Sequence, residues 1–183
     1  MRKNFGVKPW LYPQPVLIIG TYDADGNPDA MNAAWGGQYG SNKVMLSLGS
    51  HKTTDNIREK GAFTVSFATA GMVVAADYVG IVSAKDEPEK MKKSGFTTTK
   101  SEFVDAPIIN ELPLALECKF VKFNEDGNVI GEIVNVCADE SILTDDKVDA
   151  AKLDAIVFDP VNTAYLRLGE KVGNAFEDGG QLE

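Results

Sequence analysis

Three hydroxyls, one ammonium and one imidazole crowd into residues 49–57, Gly-Ser-His-Lys-Thr-Thr-Asp-Asn-Ile. An apolar, strand-like run at residues 44–48 leads in, and a short helical pattern leads out and stops at Gly61. A helix start carries unpaired backbone N–H groups and a partial positive charge. Lys52 and the hydroxyls of Ser50, Thr53 and Thr54 would complete a cradle for a phosphate, with His51 as a further contact. The same residues also fit a plain cap, in which Thr53 or Thr54 closes its own helix while Lys52 and His51 face water.

A second segment bears on that choice. Asp29-Ala30-Met31-Asn32-Ala33-Ala34-Trp35-Gly36-Gly37 follows the turn Asp25-Gly26-Asn27-Pro28. Small residues there let a planar ligand come close to the backbone. Asn32 offers a donor and an acceptor, and Trp35 offers a flat apolar face. Read separately, Trp35 is equally a core aromatic and Asn32 a turn residue.

No side chain in the sequence offers a complete reaction centre of its own. Ser47, Ser50 and Ser66 stand in no nucleophile elbow. One histidine and two cysteines without a CxxC spacing do not build an ordinary zinc site. Cys118 falls on the apolar face of an alternating run and reads as core; Cys137 ends the next run. An enzyme of this composition needs an organic cofactor to carry its chemistry. The net charge of −9 argues against nucleic-acid and anionic-membrane surfaces. No apolar run reaches the roughly 18 residues of a membrane span, and the first ten residues lack a signal-peptide core. These features lead us to expect a cytoplasmic protein.

The elements that must position these groups are mostly strands. Strand-like runs occupy residues 16–22, 28–33, 43–48, 62–67, 114–123, 129–137, 155–158 and 163–168. Residues 23–27 and 124–128 read as hairpin connections. Helical patterns cover residues 54–60, 72–78 and 87–93. No linker interrupts the chain, so a single domain over residues 1–183 is expected. The absence of regular crossover helices and of a GxGxxG turn counts against a Rossmann sheet.

Taken in order, the segments resemble the flavin reductase-like, FMN-binding split-barrel family, in its flavoredoxin-like branch. The resemblance rests on residues 15–22 and 25–27, on Asn32-Ala33-Ala34-Trp35, on Ser47-Leu48 and on Lys52-Thr53-Thr54. It continues through residues 76–83, Glu117-Cys118 and residues 168–176. It implies a mainly β fold: a split β-barrel, a six-stranded antiparallel Greek key with a few short helices. It implies FMN as cofactor, the phosphate at Ser50, His51, Lys52, Thr53 and Thr54, and the ring edge at backbone groups of Ser47 and Leu48. Asn32, Ala33, Ala34 and Trp35 would pack beside the ring and ribityl chain, with Tyr78 and Gly80 at the border. Lys90 stands where relatives carry a lysine near the flavin, although the preceding Ser83-Ala84-Lys85-Asp86 departs from the usual Ser-Gly. Phe176 would cover the ring from the tail, from the same or a second subunit of a homodimer. The implied role is a flavoprotein oxidoreductase fed by NADH, NADPH or a redox partner protein. A flavin-binding or storage module without turnover is the alternative from another class. The pyridoxamine-phosphate oxidase branch of the fold usually has a more basic phosphate site.

Overall fold

The computed structural model describes residues 1–182. Seven antiparallel strands form its main sheet: β1 (Leu17–Tyr22), β2 (Pro28–Ala33), β3 (Gly36–Gln38), β4 (Lys43–Leu46), β5 (Ala62–Phe67), β6 (Leu114–Phe123) and β7 (Val129–Ala138). Their spatial order is β2-β1-β5-β6-β7-β4-β3. The sheet curls around one apolar cluster, a half-barrel of the split-barrel kind. Leu17, Ile19, Val44, Leu46, Phe63, Val65, Cys118 and Val129 meet inside it. The six expected barrel strands are all present. The short β3 is added to them, in a Gly-Gly stretch with little strand propensity of its own.

Strand β1 shows why the first run is continuously apolar rather than alternating. Leu17 and Ile19 point into the barrel, whereas Ile18 points out and is equally buried. Its outer face is covered by helix α2 (Val73–Ile81) and by Phe96 and Ile109. Both faces of β1 therefore exclude water, and both need apolar residues. Helix α1 (Lys52–Lys60) places Ile57 in the barrel cluster, and Gly61 in left-handed conformation (φ 67°) ends it. Helix α3 (Lys90–Ser94) follows α2 and ends likewise at Gly95. A second, three-stranded sheet joins Gln14–Pro15 to the hairpin Ile156–Asp159 and Ala164–Arg167.

The two predicted hairpin connections share one design. In the first, Asp23 Oδ1 accepts from the amides of Asp25 (3.1 Å) and Asn27 (2.8 Å). In the second, Asn124 Oδ1 accepts from Asp126 (3.1 Å) and Asn128 (2.8 Å). Gly26 and Gly127 supply the positive φ, 84° and 80°, that each turn requires.

The two cysteines lie apart on neighbouring strands. Cys118 pairs in register with Ile133, while Cys137 pairs with Ala115, three residues away along β6. At about 3.3 Å per strand residue that separation exceeds the reach of a disulfide. Burial pushes the Cys118 thiol up to about 12, and the Glu117 carboxylate adds to the shift. Reactivity needs thiolate and access, and Cys118 has neither. Titration of the native protein with Ellman's reagent should therefore leave Cys118 unreacted, whereas both thiols should react in denaturant. Prompt reaction of Cys118 in the folded protein would contradict this packing.

Candidate functional site

A cavity of about 550 Å³ opens beside the barrel wall, lined by Met31, Asn32, Ala33, Ala34, Trp35, Ser47, Leu48, Gly49, His51, Asp77, Gly80, Ile81, Phe158 and Tyr165. A narrower one of about 220 Å³ adjoins it, and Met31, Asn32, His51, Gly80 and Ile81 line both. Lys52, Thr53, Ser83, Ala84, Asp29 and Lys90 line the narrow part. The pair forms one groove: a broad end with aromatic side chains in its wall and a narrow end at the start of α1, where Asp29, Lys52 and Lys90 gather.

Three aromatic rings wall the broad end. Trp35 lies 5.8 Å from Phe158 between centroids, and Phe158 lies 6.1 Å from Tyr165. Half of Trp35 is exposed, and the residue lines the broad end. The phenol of Tyr165 donates to Asp77 Oδ1 at 2.8 Å. Desolvation first, and that hydrogen bond second, push Tyr165 up to about 12, so it stays a neutral phenol. The opposite wall depends on Gly80. A Cβ there would stand only 2.9 Å from the Cβ of Asn32, so α2 can lie this close to β2 only with glycine at that point. Asn32 in turn donates its amide N–H to the Ala76 carbonyl at 3.0 Å. One polar atom of Asn32 thus ties strand to helix, and its carbonyl oxygen remains as an acceptor at the cavity wall.

The narrow end is built around a buried ion pair. Lys90 Nζ lies 3.3 Å from Asp29 Oδ1, and both residues are buried, at 3% and 2% exposure. Thr53 Oγ1 donates to the other oxygen of Asp29 at 3.1 Å. Asn56 donates to Thr21 Oγ1 at 3.0 Å and fixes the next turn of α1 to β1. Burial pulls the Lys90 ammonium below the usual lysine value; Asp29 acts against that shift. Lys52, further out, pairs with Asp23 at 3.2 Å.

This arrangement corrects the expected helix start. The cap is His51, in extended conformation, and its side chain makes no capping bond. Neither threonine caps. Thr53 serves Asp29, and Thr54 Oγ1 donates to the Gly49 carbonyl at 2.8 Å. The physical reason is that the helix starts at Lys52, so both threonines lie inside its first turn rather than at the cap position. The first amide of α1 to find a helical acceptor is that of Asp55, on His51. The amides of Lys52, Thr53 and Thr54 precede it and have no carbonyl one turn back within the helix.

Of the residues singled out in the sequence, Asn32, Ala33, Ala34, Trp35, Ser47, Leu48, His51, Lys52, Thr53 and Lys90 meet at this groove. Four do not line it. Ser50 is exposed, Thr54 is buried beneath the loop, and Tyr78 packs on the outer core cluster. Phe176 stands fully exposed in the tail. The Ser47 amide is committed to the Trp35 carbonyl at 2.8 Å. Sequence reasoning gave no role to Asp29 and Asp77, which stand close in the chain to Asn32 and Gly80, or to Phe158 and Tyr165, which reach the groove from a distant hairpin.

Residues 10–152 match the family described as flavin reductase like domain. The chain belongs to that family. The structure of flavoredoxin of Desulfovibrio vulgaris (Miyazaki F) is similar to it, at 40% identity and a TM-score of 0.94, covering 98% of this chain and 100% of that one. Flavoredoxin from Methanosarcina acetivorans is similar at 28% identity and a TM-score of 0.88, over the whole of both chains. An uncharacterized protein of Aeropyrum pernix is 28% identical over 121 residues, 64% of this chain; the chain spans only 46% of that longer relative. Among the described residues no helix is long and apolar enough to cross a membrane.

Removing one partner of a buried ion pair costs about 3–5 kcal/mol. Asp29→Asn should therefore lower stability by roughly that amount in urea unfolding. The double variant Asp29→Asn with Lys90→Met should recover a large part of the loss. Additive losses in the double variant would show that the two charges do not depend on each other.

Proposed function

We propose that the groove binds FMN, ring in the broad end and phosphate in the narrow end, and that the chain works as an FMN-dependent oxidoreductase. The observation that carries this reading is the continuity of the two cavities. An aromatic-walled space runs directly into a helix start that offers unpaired amides and the Lys52 ammonium. A flat ring joined to a phosphate suits this lining. Gly80 and the alanines 33 and 34 leave room for the ring, and a side chain at position 80 would close the wall against Asn32. The likeness to flavoredoxins at the level of the whole chain supports the same reading.

When bound, FMN supplies the redox chemistry, accepting and returning two electrons at its ring. The chain's residues bind and shield. The amides at 52–54 and Lys52 hold the phosphate, and Lys90 stands behind them as a fixed charge paired to Asp29. Asn32 to Trp35, Phe158 and Tyr165 flank the ring and limit water at its faces. Electrons come from NADH, NADPH or a redox partner protein. Anaerobic mixing of the FMN-loaded protein with NADH and NADPH separates turnover from storage, because only an enzyme bleaches its flavin absorbance at once.

The same reading includes a homodimer. Val172, Phe176 and Leu182 are exposed in the tail at 101%, 108% and 94%. Apolar side chains so placed are covered most simply by a second copy. Light scattering should give twice the chain mass of 19.7 kDa. The monomer mass at micromolar concentration with FMN present would remove this part of the reading.

The FMN assignment is tested by calorimetry with two ligands. Lys52→Ala should weaken FMN binding by about 5- to 30-fold, equivalent to roughly 1–2 kcal/mol for a charge-assisted hydrogen bond that is partly exposed. Riboflavin, which lacks the phosphate, should bind the variant as it binds the parent. Equal weakening of both ligands, or of neither, would remove Lys52 from the phosphate site.

A further inference from the structure

The Asp23 carboxylate is more than its turn requires. The turn at residues 23–27 needs one side-chain oxygen to accept two amides, and Asp23 Oδ1 does this. The matching turn at residues 124–128 makes the same two bonds with Asn124, a neutral residue. The second oxygen of Asp23 is therefore free for another partner. It takes Lys52 Nζ at 3.2 Å and the Asn27 side-chain amide at 3.4 Å. Lys52 lines the narrow cavity, and its side chain keeps 28% of its exposure while that of Asp23 keeps 15%. Lys90, the other lysine of the cavity, is fixed to Asp29 in the interior. Lys52 is the one of the two with freedom to change partners.

We infer that Asp23 is a built-in rival of the ligand phosphate for Lys52, and that it sets the FMN affinity below what the cradle could otherwise reach. This rests on the FMN reading given above. Each lysine of the narrow cavity already has its own carboxylate, Asp23 for Lys52 and Asp29 for Lys90. An arriving phosphate dianion meets a neutralised pair rather than a free cation. It must draw Lys52 away from Asp23 or share it, and it lies near a like charge in either case. The consequence is a cofactor held less tightly than two lysines and a helix start would allow. Riboflavin, without a phosphate, is indifferent to this exchange.

Asp23→Asn is the decisive variant, because Asn124 shows that asparagine supports this turn. It keeps the oxygen that accepts the two amides and removes the charge that holds Lys52. Calorimetry should show FMN bound roughly 3- to 30-fold more tightly than by the parent. Riboflavin affinity should be unchanged, and far-UV circular dichroism and the unfolding midpoint should show an intact fold. Lys52→Ala should cost more FMN affinity in the Asp23→Asn background than in the parent, since the lysine there has no other partner. Unchanged or weaker FMN binding by a folded Asp23→Asn protein would overturn the rivalry and make Asp23 a support for Lys52. The phosphate assignment itself fails separately: then Lys52→Ala leaves FMN and riboflavin equally affected in both backgrounds, and the inference falls with it. If Asp23→Asn lowers the unfolding midpoint, Asp23→Ser, which keeps an acceptor oxygen without charge, provides the same comparison. Tightening absent from both variants counts against the proposal.

Discussion

The Asp29 carboxylate is almost wholly buried, at 2% exposure, in the wall of the narrow cavity, and three elements meet around it. The carboxylate sits on β2. Lys90 comes to it from α3 and Thr53 from the first turn of α1. A buried charge without partners is far more costly than any single contact in the fold. These contacts tie the three elements together, and the narrow cavity lies between β2, the start of α1, Lys90 and the end of α2 with the loop after it. Thr53 serves this charge from inside the first turn of α1, and the cap position falls to His51, whose side chain makes no capping bond. What a cap would have covered stays open: the amides at the start of α1. That first turn lines the narrow cavity through Lys52 and Thr53.

The broad end has a different origin, in close packing rather than charge. Helix α2 reaches β2 because Gly80 has no side chain, and Asn32 bonds across the contact. Asn32 consequently has a fixed orientation and a free oxygen. The aromatic wall is supplied by the hairpin Ile156–Asp159 and Ala164–Arg167, which belongs to another sheet. The site therefore stands at the junction of the half-barrel, its outer helices and the second sheet. Each contributes a wall, and none contains the groove alone.

Much of this was legible in the sequence wherever the signal was local. The Asp-Gly-Asn turn at 25–27 and its counterpart at 126–128 announce their hairpins through a side-chain acceptor and a glycine, and both hairpins are there. The six main strands follow apolar runs, and α1 stops at Gly61 as its residue type predicts. Asn32 to Trp35 and Ser47 to Thr53 stand out because small or hydroxyl residues gather at strand ends. What stayed hidden depends on distance along the chain. Asp29 heads the segment that ends at Gly37, and nothing nearby reveals that it pairs with a lysine 61 residues on. Phe158 and Tyr165 read as ordinary strand aromatics until the hairpin folds over the cavity. Thr53 and Thr54 read either as part of a phosphate cradle or as a cap, and the helix instead begins at Lys52 with His51 at the cap position. The β3 strand was invisible for the opposite reason: two glycines pair by their backbone alone, with the edge of β4 as template.

The central claim is that one groove receives ring and phosphate together, and a crystal structure of the protein grown with FMN tests it most directly. The account predicts the isoalloxazine in the broad end, between residues 32–35 and the Phe158–Tyr165 wall. It predicts phosphate oxygens within about 3 Å of the amides at the start of α1. Flavin density elsewhere on the molecule, or a phosphate turned away from Lys52 and Thr53 into solvent, would contradict it.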